Sequence, residues 1–240
     1  MRKQILLTGA SGGIGQAIAR ELAAPGCSLF LHYATGSEKV EAVGEVCRQN
    51  GAEVTYLCAD LTREDGDEQL LSALPSYAAI DTIIHNAGTS YAGLFTEMTK
   101  AEIGQVMNIH LLNPMHITKA LLPGMLSRQA GNIIVISSIW GQTGAACEVA
   151  YSAAKSGLNG FVKGLAKEVA PSGIQVNGIA PGAIETEMLN GIDRESLIED
   201  IPANRLGQPE EVAATVSFLT SGRATYINGH ILSVNGAWHC

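Results

Sequence analysis

Three residues in the second half of the chain have the types and spacing that acid–base chemistry needs. Tyr151 and Lys155 are four residues apart, which places them on one face of a helix. A phenol has an unperturbed pKa of ~10, and we expect the Lys155 ammonium to lower the pKa of Tyr151. Ser138 ends an apolar run and would hydrogen-bond a substrate oxygen on which charge develops. The three residues predict chemistry at a carbonyl or an alcohol, although any exposed helix could carry the tyrosine–lysine pair alone.

Composition predicts one compact domain. The chain has 240 residues, of which 46% are hydrophobic and 16% charged, so it can bury a core without disulfides or metal. A net charge of −8 argues against a nucleic-acid or anionic membrane surface as partner. The five cysteines are scattered and predict reduced thiols, and no two histidines have metal-ligand spacing. We expect no metal. With no apolar leader and no apolar run of ~18 residues, we expect a cytoplasmic protein.

The glycine-rich stretch 8–15 follows the apolar run 4–7 and precedes a helical pattern. Strand, glycine turn and helix together form a unit that binds phosphate. Without side chains, Gly9, Gly13 and Gly15 would let a pyrophosphate approach the backbone at the positive end of the helix. A purely structural tight turn is the alternative interpretation.

Apolar runs alternate with helical patterns along the rest of the chain. This alternation predicts an α/β fold with a parallel, doubly wound sheet and right-handed crossovers. Ligands bind such sheets beyond the carboxyl ends of the strands. Gly9, Asp60, Asn86 and Ser138 all fall at strand ends, and this convergence is a stronger signal than any single motif.

With these motifs, essentially the whole chain resembles the short-chain dehydrogenase/reductase family. The resemblance rests on T-G-x-x-x-G-I-G at 8–15, N-A-G at 86–88, Ser138, Y-x-x-x-K at 151–155 and P-G at 181–182. It is closest to the 3-oxoacyl-(acyl-carrier-protein) reductases, through the stretches 205–213 and 226–236. The resemblance implies a Rossmann-type, seven-stranded parallel sheet with helices on both faces, in a single domain spanning 1–240 with a substrate lid at about 183–205.

The resemblance also implies roles for individual residues. Tyr151 would protonate the carbonyl oxygen as hydride arrives, Ser138 would orient that oxygen, and Lys155 would hold the nicotinamide ribose. The cofactor-binding residues implied by motif position are Gly9, Ser11, Gly13, Ile14, Gly15, Tyr33, Thr35, Asp60, Leu61, Asn86, Ala87, Gly88, Tyr151, Lys155, Pro181, Gly182, Ile184 and Thr186.

The family's catalytic asparagine is replaced by His110. In the family, the main-chain carbonyl at this position holds a water linked to the lysine. Pro114 lacks an N–H, so the carbonyl of residue 110 has no intrahelical donor and stays available. We expect His110 to support the same water through its backbone, with its imidazole either packing or adding a titratable group. The alternative is a packed histidine that takes no part in proton transfer.

The end of the second strand predicts NADP(H) rather than NAD(H). Tyr33 occupies the place where NAD-preferring members have an acid, so a 2′-phosphate would meet no repulsion. However, Gly12 stands where many NADP-preferring relatives have an arginine. Lys39 and the hydroxyls of Thr35 and Ser37 remain as phosphate partners, and Lys39 could equally be a solvated surface residue.

The expected function is NADPH-dependent reduction of a ketone, with a 3-oxoacyl thioester as the favoured substrate, as in fatty acid biosynthesis. The alternatives are an NAD(P)-dependent alcohol dehydrogenase or ketone reductase for another small carbonyl compound, and a dinucleotide-binding sensor with vestigial activity. Docking of an acyl carrier protein is in doubt, because Arg128 fits one basic position of such relatives but Ser172 occupies the other. The resemblance implies a homodimer or homotetramer, formed through the helices predicted at 99–128 and 151–170.

Overall fold

The computed structural model of the protein describes residues 3–240, apart from the side chain of Ala78. Strands alternate with helices throughout this range. The strands are β1 (Lys3–Leu7), β2 (Cys27–Tyr33), β3 (Glu53–Cys58), β4 (Thr82–His85), β5 (Gly131–Ile136), β6 (Ile174–Pro181) and β7 (Ile231–Val234). The α-helices are α1 (Gly13–Leu22), α2 (Ser37–Gln49), α3 (Gly66–Ser72), α4 (Lys100–Met107), α5 (Asn113–Arg128), α6 (Trp140–Thr143), α7 (Val149–Val169), α8 (Arg194–Glu199) and α9 (Pro209–Leu219).

The seven strands form one parallel sheet in the order β3-β2-β1-β4-β5-β6-β7. Strand β1 is central to the fold, because Ile5 pairs with Leu29 of β2 on one side and with Thr82 of β4 on the other. The strand order reverses between β1 and β4. A crevice opens beyond the carboxyl ends of the strands at such a reversal, and this is where ligands bind doubly wound sheets. The predicted Rossmann-type fold is confirmed.

Both faces of the sheet are buried, which explains the continuous apolar runs of the strands. Successive residues of one strand point to opposite faces. Ile5 and Leu7 therefore pack in the core beneath α1, α2 and α9, whereas Leu6 packs in the second core beneath α3, α5 and α7. The same alternation divides β5. The two cores hold the sheet rigid, so that the turns at its carboxyl edge have fixed positions.

The long helix expected at 99–128 is interrupted. Residues 108–112 form a turn of π-helix between α4 and α5. Asn113 donates its backbone N–H to the carbonyl of Asn108, five residues back, instead of four. The cause lies one residue later, because Pro114 has no N–H to continue the α-helical pattern. His110 lies in the middle of this turn.

Within residues 3–240, no helix combines the length and apolar character needed to cross a lipid bilayer. In the same part of the chain, no three His, Cys, Asp or Glu side chains are grouped closely enough to hold a metal ion.

Candidate active site

The Ser138, Tyr151 and Lys155 side chains meet at the carboxyl edge of the sheet. Ser138 lies just beyond β5, while Tyr151 and Lys155 lie in the first two turns of α7. The Ser138 hydroxyl accepts a hydrogen bond from the Trp140 backbone N–H at 3.1 Å and lies near enough to the Tyr151 phenol to affect its pKa. The Lys155 ammonium nitrogen lies 5.6 Å from the centre of the Tyr151 ring. The structure therefore brings together the three residues that the sequence predicts.

Burial controls the charge of Lys155. The side chain is 4% exposed, and its Nζ donates a 2.7 Å hydrogen bond to the Ile136 carbonyl. Because removal from water penalises the ammonium form, the pKa of Lys155 falls to about 7. The lysine is thus close to half charged at neutral pH.

The prediction that Lys155 lowers the pKa of Tyr151 is wrong for this structure. Burial of the phenol raises the pKa of Tyr151 to about 12, and the negative charge of Glu148 adds to this effect. The influence of Ser138 acts in the opposite direction but is the smaller effect. Burial of both groups, which the spacing of the residues does not reveal, penalises the phenolate and the ammonium alike. At neutral pH, Tyr151 is consequently a protonated phenol, able to donate a proton.

His110 packs against Tyr151. The planes of the two rings meet at 85°, with their centres 4.9 Å apart. The Nε2 atom of His110 lies 2.8 Å from the Thr89 carbonyl oxygen and 3.3 Å from the Thr89 backbone nitrogen. Because a carbonyl can only accept, the shorter contact makes Nε2 the protonated nitrogen. The Nδ1 atom is then an acceptor, and it is buried without a hydrogen-bond partner among the described residues.

The charge state of His110 decides between two of its predicted roles. Burial lowers the pKa of His110 well below its usual value, and the nearby positive charge of Lys155 lowers it further. The imidazole is therefore neutral at neutral pH. This contradicts the suggestion that His110 adds a titratable group, and it favours packing and hydrogen bonding as the role of the ring.

The glycine turn fits a dinucleotide phosphate. Gly9 has a φ of +69°, a conformation that side chains disfavour, and a Cβ at Gly15 would lie 2.1 Å from the Gly9 carbonyl oxygen. The first three residues of α1 are Gly13, Ile14 and Gly15, whose backbone N–H groups have no intrahelical acceptor. These N–H groups and the positive end of the helix are what a pyrophosphate requires.

Asn86 and Thr8 connect the glycine turn to the turn after β4. The Asn86 side-chain nitrogen donates to the Thr8 carbonyl at 3.1 Å and to the Gly9 carbonyl at 3.0 Å. The Thr8 hydroxyl oxygen accepts from the backbone N–H groups of Asn86 and Ala87, both at 3.0 Å. The amide nitrogen of Asn86 is therefore engaged within the protein. Gly88 packs on His110, where a Cβ would lie 2.7 Å from the imidazole Cε1.

The other residues predicted to bind the cofactor lie around this cleft, and they differ in how accessible they are to a ligand. Asp60 accepts from the Thr62 hydroxyl at 2.7 Å, and the Leu61 side chain is 2% exposed in the core, so only the backbone of Leu61 is available to a ligand. Tyr33 is half-buried at the end of β2, where it pairs with Cys58 of β3. Ser11, Thr35 and Gly182 lie in the turns after β1, β2 and β6, and Pro181 is the last residue of β6.

The segment after β6 reaches back over the glycine turn. The Ile184 side chain is 5% exposed, and Thr186 lies so close to Gly13 that a Cβ there would be 2.8 Å from the threonine Cγ2. The next residue, Glu187, forms an ion pair of 2.6 Å with Lys39 at the start of α2. Lys39, which the sequence suggests as a phosphate partner, is therefore paired with a carboxylate.

The sequence analysis overlooked His32. This side chain is 2% exposed at the end of β2, and its Nδ1 accepts from the Gly9 backbone N–H at 3.1 Å. Its Nε2 donates to the Ala59 carbonyl at 3.0 Å. Burial lowers the pKa of His32 to about 4, so the ring is neutral, and its two partners fix which nitrogen carries the proton. His32 thus joins the glycine turn to the end of β3. Its position in an apolar strand, three residues before Thr35, was the only signal available.

The family match agrees with this geometry. The sequence model of short chain dehydrogenases matches residues 3–196. The chain belongs to the short-chain dehydrogenase family. It is an NAD(P)-dependent oxidoreductase, with the family's glycine turn and its serine, tyrosine and lysine in one cleft.

Relatives of this short-chain dehydrogenase match over nearly their whole length. An uncharacterized oxidoreductase of Bacillus subtilis, YmfI, is 46% identical, with all of both chains covered. A 3-oxoacyl-[acyl-carrier-protein] reductase of Synechocystis is 39% identical, covering 96% of this chain and 94% of the relative. The enzyme FabG of Vibrio cholerae, which has the same activity in its name, is 37% identical, covering 99% and 97%.

A solved structure resembles the whole fold. The angucycline C-6 ketoreductase LanV, crystallised with bound NADP, superposes with a TM-score of 0.89 at 27% identity. The match covers 98% of this chain and 94% of LanV.

Proposed function

We propose that the protein is an NADPH-dependent reductase that transfers hydride to a ketone carbonyl, with a 3-oxoacyl thioester as its favoured substrate. The observation that carries the proposal is the meeting of Ser138, Tyr151 and Lys155 at the carboxyl edge of the sheet, where burial keeps the Tyr151 phenol protonated. A group that must give a proton to a carbonyl oxygen has to hold one at neutral pH. The relatives named as 3-oxoacyl reductases support the thioester.

In this proposal, each residue of the site acts through a particular group. The bound nicotinamide cofactor supplies the hydride. The Tyr151 hydroxyl donates its proton to the substrate oxygen, and the Ser138 hydroxyl orients that oxygen. Lys155 holds the nicotinamide ribose. His110 keeps Thr89 and the Tyr151 ring in position, and its backbone carbonyl supports the water that reaches Lys155.

The proposal extends to cofactor choice. NADP(H) is favoured because Tyr33, rather than an acid, stands at the end of β2, and because LanV was solved with NADP. Gly9, Ser11, Gly13, Ile14 and Gly15 would hold the pyrophosphate. The other proposed contacts are Tyr33, Thr35, Asp60, Leu61, Asn86, Ala87 and Gly88 at the adenosine end and Tyr151, Lys155, Pro181, Gly182, Ile184 and Thr186 at the nicotinamide end. Lys39 would have to exchange Glu187 for a 2′-phosphate.

The segment 183–205 is proposed as the substrate lid. Its apolar residues divide into two groups, because Ile201 is buried at 2% exposure while Met188 and Ile192 are each 50% exposed. Ile201 would anchor the lid to the domain. Met188 and Ile192 would be free to contact an apolar chain.

The partners considered for this protein are an acyl carrier protein and other copies of the same chain. Arg128, expected as part of a carrier-protein surface, directs its guanidinium at the Ile80 carbonyl and lies 3.6 Å from Asp81. Delivery by an acyl carrier protein therefore has little support, and with it a place in fatty acid biosynthesis. Assembly into a homodimer or homotetramer through α4, α5 and α7, in the cytoplasm, remains part of the proposal.

A second candidate is reduction of another small ketone, or oxidation of the corresponding alcohol. The observation that favours it is the likeness to LanV, a ketoreductase whose substrate is an angucycline. The same serine, tyrosine and lysine serve any carbonyl that fits, so the pocket walls decide between the two candidates.

The decisive experiment is NADPH oxidation with acetoacetyl-coenzyme A, run beside NADH and beside Tyr151→Phe. We expect rapid consumption of NADPH, slower consumption of NADH, and a loss of about 10²–10⁴-fold in the variant. If acetoacetyl-coenzyme A is not reduced although NADPH binds, the thioester is wrong and a panel of ketones follows. A Tyr151→Phe variant with full biological function would instead favour a dinucleotide sensor with vestigial activity.

A further inference from the structure

An ion pair connects the start of α2 to the segment after β6. Lys39 lies in the first turn of α2, and Glu187 follows it by 148 residues, at the start of a short 3-10 helix. The Lys39 Nζ donates to both carboxylate oxygens of Glu187, at 2.7 Å and 2.6 Å. The two residues therefore hold together parts of the chain that are far apart in sequence.

The ion pair lies beside the glycine turn. A Cβ at Gly36, in the loop before α2, would lie 3.4 Å from the Ser11 Cβ and 3.8 Å from the Lys39 Cδ. On the other side, Thr186 directly precedes the acidic partner, and its Cγ2 would lie 2.8 Å from a Cβ at Gly13. Both halves of the pair thus come from segments that touch the turn proposed to hold the pyrophosphate.

The start of α2 has the groups that a phosphate requires. Gly36 precedes the helix and has no side chain to accept from its first N–H groups, which form the positive end of the helix dipole. Thr35 and Ser37 carry hydroxyls, Lys39 carries an ammonium, and Tyr33 stands at the end of β2 in place of an acid. NADPH and NADH differ only in the 2′-phosphate of the former. Lys39 is therefore placed to distinguish the two cofactors.

A phosphate at Lys39 conflicts with Glu187. The lysine ammonium has three N–H donors, and both oxygens of Glu187 already accept from it. A phosphate that used the remaining donor would lie next to the carboxylate, and the two negative charges would repel each other. NADH has no 2′-phosphate and makes no such demand on Lys39. The carboxylate of Glu187 should consequently weaken the binding of one cofactor and not of the other.

We infer that Glu187 determines cofactor specificity, because its carboxylate competes with the 2′-phosphate of NADP(H) for Lys39 and so reduces the preference for NADPH over NADH. The inference rests on the proposed NADPH-dependent function. Both side chains are exposed, Lys39 at 48% and Glu187 at 76%. An exposed ion pair changes an equilibrium by up to about fivefold, and relief of the repulsion between carboxylate and phosphate adds to this change.

The test is direct titration of both cofactors into Glu187→Gln, with nicotinamide fluorescence as the signal. Glutamine keeps the length of the side chain and an oxygen that can accept from Lys39, so the substitution removes the charge alone. We expect the dissociation constant for NADPH to fall by about threefold to tenfold and that for NADH to change by less than about twofold. The measurement needs no substrate and no turnover.

Two further variants identify the cause of the gain. In Lys39→Gln/Glu187→Gln, compared with Lys39→Gln alone, the gain in NADPH affinity should shrink to about twofold or less, because no ammonium is left to compete for. Glu199→Gln is the matched control. It removes the same charge from the exposed end of α8, in the same segment 183–205, and should leave both dissociation constants unchanged.

The inference is overturned if Glu187→Gln leaves the ratio of the two dissociation constants as it is in the wild-type protein. It is also overturned if both cofactors gain equally, since Glu187 would then act on a part that they share, or if Glu199→Gln has the same effect. Reduction of acetoacetyl-coenzyme A by the wild-type protein in any of these cases would leave the reductase function standing. If neither NADPH nor NADH binds, the proposed function fails and the inference fails with it.

Discussion

The edge of the His110 imidazole meets the ring of Tyr151, with 4.9 Å between the ring centres. Through Nε2, the same imidazole contacts the backbone of Thr89 in the turn after β4. One neutral side chain therefore links the proposed proton donor to a turn that lines the cofactor cleft. This link replaces the amide that the family usually has at this position.

Replacement of His110 separates its structural role from a role in proton transfer. His110→Gln retains a donor that can reach the Thr89 carbonyl, whereas His110→Leu leaves this backbone group unpaired at a cost of about 1–3 kcal/mol. We expect the leucine variant to lose about tenfold or more in kcat/KM for NADPH and the glutamine variant to lose less. Because the pKa of His110 lies well below its usual value, both variants should keep the wild-type pH–rate profile between pH 6 and 9. If the pH–rate profile of His110→Gln lacks a limb that the wild-type profile has between pH 6 and 9, this expectation is contradicted.

Lys155→Met tests the burial of the lysine. The folded pKa of about 7 is depressed below the ordinary 10.5, so the unfolded chain binds more protons between these values. Stability of the wild-type protein relative to the variant should therefore rise with pH from about 7 to 10.5, by as much as ~5 kcal/mol. Urea unfolding at several pH values measures this difference. A difference that does not change over this range would show that the lysine keeps its charge in the folded protein.

His32→Leu tests the connection between the glycine turn and β3. The change leaves the Gly9 N–H and the Ala59 carbonyl without partners, at about 1–3 kcal/mol for each buried group. We expect NADPH to bind about tenfold more weakly, with a much smaller effect on the substrate KM at saturating cofactor. Titration of NADPH fluorescence gives the dissociation constant. If the NADPH dissociation constant and the substrate KM increase by the same factor, the substitution has damaged the fold in general.

The pH dependence of stability gives an independent test of His32. Its folded pKa of about 4 is depressed below 6.5, so its neutral form contributes stability that is complete above pH 6.5 and is lost as pH falls toward 4. The loss amounts to at most ~3 kcal/mol. His32→Gln lacks this titration, and its stability should fall less over the same range. The negative charge of Asp60 raises the pKa of His32, so the double variant His32→Gln/Asp60→Asn serves as the control for this neighbouring charge.

Gly12→Arg should strengthen the preference for NADPH. Gly12 has a φ of −78°, and a Cβ at this position would meet only the Gly9 carbonyl oxygen at 3.6 Å, so a side chain fits without strain. An arginine here would add charge-assisted hydrogen bonds to a 2′-phosphate and lower the NADPH dissociation constant by about tenfold. The dissociation constant for NADH should change little. Equal gains for both cofactors would place the new arginine on the pyrophosphate instead.

Sequence reasoning succeeded where a local pattern determines the structure. The glycine turn, the alternation of strands and helices, and the four-residue spacing of Tyr151 and Lys155 each depend on neighbours in the chain. It failed where the outcome depends on burial. The pKa of Tyr151 is raised because several segments together remove the phenol from water, and no spacing reveals that sum. His32 went unnoticed for the same reason, since its partners Gly9 and Ala59 are more than twenty residues away.

The π turn at 108–112 has a geometric consequence for the helices on either side of it. A π turn contains one more residue than an α turn, so the side-chain faces of α4 and α5 are offset by about 100°. The helix pair can therefore direct one face of α4 toward α7 and a different face of α5 toward α3 and β5. Deletion of one residue from this turn would restore a regular α-helix. It would also rotate the side chains of α4 about the helix axis, so that they would point in new directions relative to those of α5.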